Sequence, residues 1–92
     1  MKSLLRPILS ENVAAAAASA KSSAAPAGTR AVMITARTNP VRIAISSEPV
    51  ATAASIAIPV NESRWFSCGS GDKVAAIREG ASDGQANVVF LV

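Results

Sequence analysis

From Thr29 onward, apolar residues recur at every second position, the period of a β-strand with one buried face. In Val41 to Ser46, the side chains of Val41, Ile43 and Ile45 fall on one side and those of Arg42, Ala44 and Ser46 on the other, which predicts a half-buried strand. Arg30 to Arg37 predicts a second strand. Asn39-Pro40 between the two is turn chemistry, so the pair predicts a hairpin. Further strands are expected over Ser55 to Val60, Arg64 to Cys68, Lys73 to Arg78 and Asn87 to Val92, while Val50 to Ala54 is too poor in large residues to assign. Turn residues separate them: Asn61-Glu62-Ser63, Gly69-Ser70-Gly71-Asp72, and Glu79-Gly80 with Ser82-Asp83-Gly84. The expected fold is all-β, a small antiparallel β-sandwich or barrel of six to seven strands. No loop after residue 29 has room for a crossover helix, which excludes parallel βαβ units.

Residues 1–28 follow no such period. Alanine, serine and proline dominate, and Pro26-Ala27-Gly28 closes the block. The division is therefore an N-terminal arm over 1–28 and a β-domain over 29–92. Ser10 suits a helix N-cap, Glu11 the positive end of the helix dipole, Ala14 to Ala18 the helix interior and Lys21 its C-terminal end. A helix of about eleven residues is marginal alone, so the arm is expected to be extended, partly helical, and ordered against a partner. At the other end, Val88, Phe90 and Val92 share one face while Val89 and Leu91 share the other. A strand apolar on both faces belongs at the centre of a sheet or at a subunit interface.

Composition narrows the chemistry. The chain has 92 residues, no histidine and one cysteine, which excludes an intrachain disulfide and leaves a structural zinc site almost without ligands. A domain of about 60 residues buries only about 60% of its unfolded surface, so self-association or docking is the remaining source of stability. Without histidine the usual general base and the serine and cysteine triads are missing, and Cys68 reads as a small core thiol. The chain is expected not to be an enzyme and to hold no metal or cofactor. Gly69-Ser70-Gly71-Asp72 departs from a phosphate-binding loop because Val74 stands where a third glycine belongs. The start of the chain has the charge of a secretory n-region, but Arg6, Pro7, Glu11 and Asn12 break the apolar stretch, and no run is long enough for a membrane span. The net charge of +3 is concentrated early, where Lys2, Arg6, Lys21, Arg30, Arg37 and Arg42 face only Glu11. That asymmetry suits an acidic surface or nucleic acid, or serves solubility alone; nucleic acid is not expected as a partner, since neither a recognition helix nor a stacking platform is present. Trp65 and Phe66 are adjacent, so one faces the core and the other faces outward, where tryptophan favours interfaces.

Ile58-Pro59, Trp65-Phe66, Gly71-Asp72-Lys73-Val74-Ala75-Ala76-Ile77, Gly84 and the closing Asn87-Val88-Val89-Phe90-Leu91 together resemble the C-terminal part of small virion proteins of tailed bacteriophages, among them capsid decoration proteins. The resemblance implies a structural protein made in the host cytoplasm and carried on the capsid surface, homo-oligomeric and bound to the major capsid protein or other virion subunits. It implies Leu4, Leu5, Ile8 and Leu9 as arm anchors, Arg6, Arg30 and Arg37 as polar clamps, and Trp65 as a contact residue. On this view, loss of residues 1–20 leaves the β-domain folded and weakens particle binding. A neck, tail or fibre-attachment component is the neighbouring alternative, and a carbohydrate-binding or adhesin module is the alternative from another class.

Overall fold

The computed structural model describes residues 6–92. These residues form an all-β fold with no helix: β1 (Pro7–Ala15), β2 (Ala20–Lys21), β3 (Ala31–Arg37), β4 (Val41–Ser46), β5 (Ile56–Ile58), β6 (Ser63–Ser67), β7 (Lys73–Arg78) and β8 (Gly84–Leu91). Two four-stranded antiparallel sheets result: a front sheet in the order β1-β8-β3-β6 and a back sheet in the order β2-β7-β4-β5. Their inner faces share one core. Val13 and Ala15 of β1, Val32, Ile34 and Ala36 of β3, and Ala86, Val88 and Phe90 of β8 meet Val41, Ile43, Ile58, Val74 and Ala76 of the back sheet. The alternation seen in the sequence therefore becomes a sandwich. Each of the large side chains buried there, from Phe90 to Val88, contributes about 1.5–3 kcal/mol.

Two expectations are corrected. The partly helical arm is instead strand: residues 7–15 pair with β8 from Pro7↔Leu91 to Ala15↔Gly84, and residues 20–21 pair with β7, raising the strand number to eight. The physical reason is that a run of five alanines gains little from an isolated helix, whereas β8 presents an open backbone edge and an apolar face. Leu9 packs against the core while Val13 and Ala15 enter it. Glu11, on the same side of the strand, reaches across to the back-sheet side and accepts the Ser23 N–H at 2.7 Å. That charge-assisted bond ties the β1 margin of the sandwich to the chain following β2.

The second correction concerns the β3–β4 hairpin, because β3 lies in the front sheet and β4 in the back sheet. Between them Thr38 adopts a left-handed φ of 73°, and the Asn39 N–H bonds back to the Arg37 carbonyl at 2.8 Å. The chain thus turns a corner between layers. Asn39-Pro40 was legible as a turn, but whether a turn returns within a sheet or crosses to the opposite one depends on distant strands. β3 is flanked by β8 and β6, which leaves β4 free to pair with β7 and β5. At the opposite margin a parallel bridge between Ala36 and Val60, with Asn61 at φ 64°, carries the chain from β5 back to β6.

Gly84 marks a close approach, since a Cβ there would lie 2.7 Å from the Asn39 carbonyl oxygen. Gly84→Ala forces backbone apart at the β8 start and is expected to cost about 1–3 kcal/mol, read as a lowered midpoint in urea unfolding. Removal of residues 1–20 strips β1 from β8 and Val13 and Ala15 from the core. The expected result is loss of the cooperative unfolding transition, in contrast to the intact β-domain that the arm picture requires; circular dichroism during thermal denaturation decides between them.

Candidate docking face

The two outer faces of the sandwich differ. On the back sheet the loop over residues 47–55 crosses the outer surface and is held at several points. The Glu48 carboxylate takes Lys21 Nζ at 3.2 Å and Lys73 Nζ at 3.5 Å, the Ala51 N–H donates to Ser19 Oγ at 3.0 Å, and Arg42 Nη1 donates to the Ser55 carbonyl at 2.7 Å. Ala51 and Ala75 are buried although neither belongs to the shared core. The hydrogen bond and charge of Lys21, followed by those of Lys73, hold the Glu48 carboxyl below its ordinary pKa. This face is occupied by the chain itself.

On the front sheet no loop among the described residues is bonded across the row of Trp65, although Leu91, farther along the same side of β8, is 5% exposed. Register sets Ser10, Val89, Met33 and Trp65 abreast on its outer side. Trp65 is 57% exposed, whereas Phe66, one position on, turns inward against the core. Met33 and Val89 are half-buried beside it. The next row is polar and satisfied within itself, with Asn87 Nδ2 donating to Asn12 Oδ1 at 3.0 Å and the Thr35 and Ser63 hydroxyls 2.6 Å apart. Beyond that row, Arg37 stands beside Gln85 on the same face, placed there by the alternation 31, 33, 35, 37. At the other end of β3 lies Arg30, exposed, with its N–H on the Leu91 carbonyl. Arg6 is exposed at the same end, exchanging backbone bonds with Val92.

Charge follows the same division. All six carboxylates have internal partners: Glu48 with Lys21 and Lys73, Glu62 with Arg64, Glu79 with Arg42, Asp83 with Arg78, Glu11 with the Ser23 N–H, and Asp72 with the Gly69 N–H. Among the described residues, the cations left without an ion pair are Arg6, Arg30 and Arg37, and all three belong to the front sheet or its end.

Of the residues expected to make contacts, Leu4 and Leu5 lie outside the described residues. Ile8 is 39% exposed at a bulge in β1, where pairing shifts register, and Leu9 opposite Phe90 serves the core. Trp65 and Arg37 share the outer front face, with Arg30 and Arg6 at its end. Met33 and Val89 were not singled out as contacts, although the second apolar face of the last strand was the signal for Val89. Elsewhere, Asn39, Pro40 and the loop from Glu79 to Ser82 line a shallow cleft whose one carboxylate, Glu79, is already 3.5 Å from Arg42. No group of three potential metal ligands occurs among the described residues. Comparison with known protein families, curated proteins and solved structures finds no match for the chain.

Cys68 sits in the core, 5% exposed, and burial together with the Asp72 carboxylate pushes its thiol above its ordinary pKa. The unfolded chain therefore releases this proton first. The contribution is complete below the unfolded thiol value of about 8.5 and is lost as pH rises through the higher folded value. Cys68→Ala is expected to abolish that alkaline component, so thermal midpoints measured across the alkaline range should fall less steeply for the variant than for the parent.

Proposed function

We propose that this chain is a structural docking module of a virion, of the capsid decoration type, that reinforces a shell by seating its front-sheet face on neighbouring subunits. The observation that carries the reading is the difference between the two outer faces: one is crossed and pinned by the chain's own loop, and the other presents an exposed Trp65 flanked by half-buried Met33 and Val89, with Arg37 farther along the same face of β3. Tryptophan, methionine and arginine are the residues enriched where proteins meet. The resemblance of the strands from Ile58 to Leu91 to small phage virion proteins supplies the setting. Homo-oligomerisation belongs to the same reading, with Ile56 and Val60, exposed along the β5 margin, as the apolar surface available for it.

Dimensions favour attachment in many copies. Four strands about 4.8 Å apart and about seven residues at about 3.3 Å give a face of roughly 440 Å². A stable one-to-one complex buries about 800 Å² per partner. A single copy is thus expected to bind weakly, whereas repeated contacts across a lattice gain through effective concentration. A second reading, carbohydrate binding, draws on the exposed Trp65, but the amides and hydroxyls beside it are bonded to each other.

The test is to mix the full chain with intact capsids that lack it and to measure co-sedimentation. Saturable binding in many copies, reduced at least tenfold by Trp65→Ala in a variant that still unfolds cooperatively, is expected. Absence of capsid binding by the parent chain overturns the proposal.

A further inference from the structure

We infer that copies of this chain join edge to edge, the β6 edge of one front sheet pairing antiparallel with the β1 edge of the next, with Arg64 set against Glu11 across the seam. This rests on the self-association in the reading above and gives it a definite contact, one that does not depend on capsid binding. The sandwich has four strand edges. The back sheet ends in β2 and β5, of two and three residues, too short to hold a partner strand firmly. The front sheet ends in β1 and β6, of nine and five residues. Each carries a charge on its inner side, where alternation elsewhere places apolar residues: Glu11 between Leu9 and Val13, and Arg64 two positions before Phe66. An inward charge closes an edge to an ordinary apolar strand. Opposite charges make these two edges complementary to each other.

Register aligns them. Pairing sets Glu11, Val88, Ile34 and Arg64 in one row across the sheet, and Leu9, Phe90, Val32 and Phe66 in the next inward-facing row. A second copy set beside the first without stagger therefore brings Glu11 next to Arg64, and Leu9 next to Phe66, both half-buried where each sheet ends. Strand direction fits too, because the successive antiparallel pairs from β1 through β8 and β3 to β6 leave β1 and β6 running in opposite senses. Arg6 exchanges both backbone bonds with Val92, and the Ala36 N–H donates to the Glu62 carbonyl. Alternation from those pairs turns the backbone of Glu11 toward β8 and that of Arg64 toward β3. The N–H and C=O groups of Ser10 and Asn12, and of Ser63 and Trp65, then point outward and meet in phase at the seam. Of these groups, only the Ser63 carbonyl has a partner outside the ladders among the described residues, the Arg64 guanidinium at 3.1 Å. That contact keeps the guanidinium beside the open edge, and its five donors can serve Glu62, at 2.9 Å, and a second acid together. Pairing like edges instead gathers like charges on one inner face. The contact is thus head to tail, and such contacts continue into rings or filaments.

Sedimentation velocity of the full chain without capsids reads the seam. A mass that rises with concentration past two copies is expected. Arg64→Glu and, separately, Glu11→Arg should each weaken association at least tenfold. Ser10→Pro removes an outward N–H while leaving Glu11 in place, and should weaken association equally in a chain that still unfolds cooperatively. An equimolar mixture of the two charge variants should restore growth, because every mixed seam again joins an acid to an arginine. A parent chain still monomeric at about 1 mM overturns the inference. So does a mass that stops at two copies, single charge variants that associate like the parent, or a mixture that fails to recover. Co-sedimentation with capsids separates this inference from the docking reading: growth without capsid binding by the parent leaves the edge contact standing and removes docking, whereas capsid binding by a parent that stays monomeric does the reverse.

Discussion

The structure depends on the pairing of β8 along both of its edges. Gly84–Leu91 lies between β1 and β3, with Val88 and Phe90 in the core and Val89 on the outer face. A strand apolar on both sides and left with an open edge would be a template for aggregation. Occupying that edge with the alanine-rich N-terminal segment removes the hazard. It also fixes the segment's register, and through Glu11 and Ser23 it ties the front sheet to the back. Because large aromatic residues are few, the layers are brought together by alanine and glycine at Ala15, Ala36, Ala76, Ala86 and Gly84. Small side chains bury little area each, so the fold depends on close approach, as the Gly84–Asn39 contact shows.

With both edges of β8 satisfied, the remaining question is which surfaces are left for other molecules. The back sheet answers by folding its own loop across itself, pinned by the Glu48 carboxylate between two lysines. The front sheet keeps Trp65 exposed beside half-buried Met33 and Val89, and among the described residues the cations without an ion pair, Arg6, Arg30 and Arg37, lie on it or at its end. Surface ion pairs such as these contribute little to stability, because solvent screens them. Their consequence here is distributional, because among the described residues they leave the cations without an ion pair on the front sheet and at its end. A face of modest area with steering charge is suited to weak, repeated contacts, which is the physical content of the decoration reading.

Part of this site was legible before the structure. That Trp65 and Phe66 face opposite ways follows from their adjacency in a strand, the structure deciding that Trp65 is the outward one, and the early excess of arginine was visible in the order of charges. What could not be read was the company these residues keep. Met33, Val89 and Trp65 are separated by dozens of residues and become neighbours only because β3 pairs with both β6 and β8. Leu9, an arm anchor on the resemblance, pairs opposite Phe90 and packs half-buried against the core, a placement that depends on β8, about eighty residues away.

By itself the sequence determined the local facts: strands at 41–46 and 73–78, the turn at Asn39-Pro40, the inward and outward alternation along each strand, and a thiol suited to burial at Cys68. These depend on neighbours within a few positions, where period and turn chemistry act. Tertiary structure alone decided that Ala14 and Ala15 extend instead of coiling, that β3 and β4 separate into different layers, and that a loop of the chain crosses one outer face while the other keeps Trp65 exposed. Those outcomes turn on which edges and faces are still free once distant strands have met. A backbone hydrogen bond or a buried methyl group contributes equally from any sequence distance, so no local pattern records which partner supplies it.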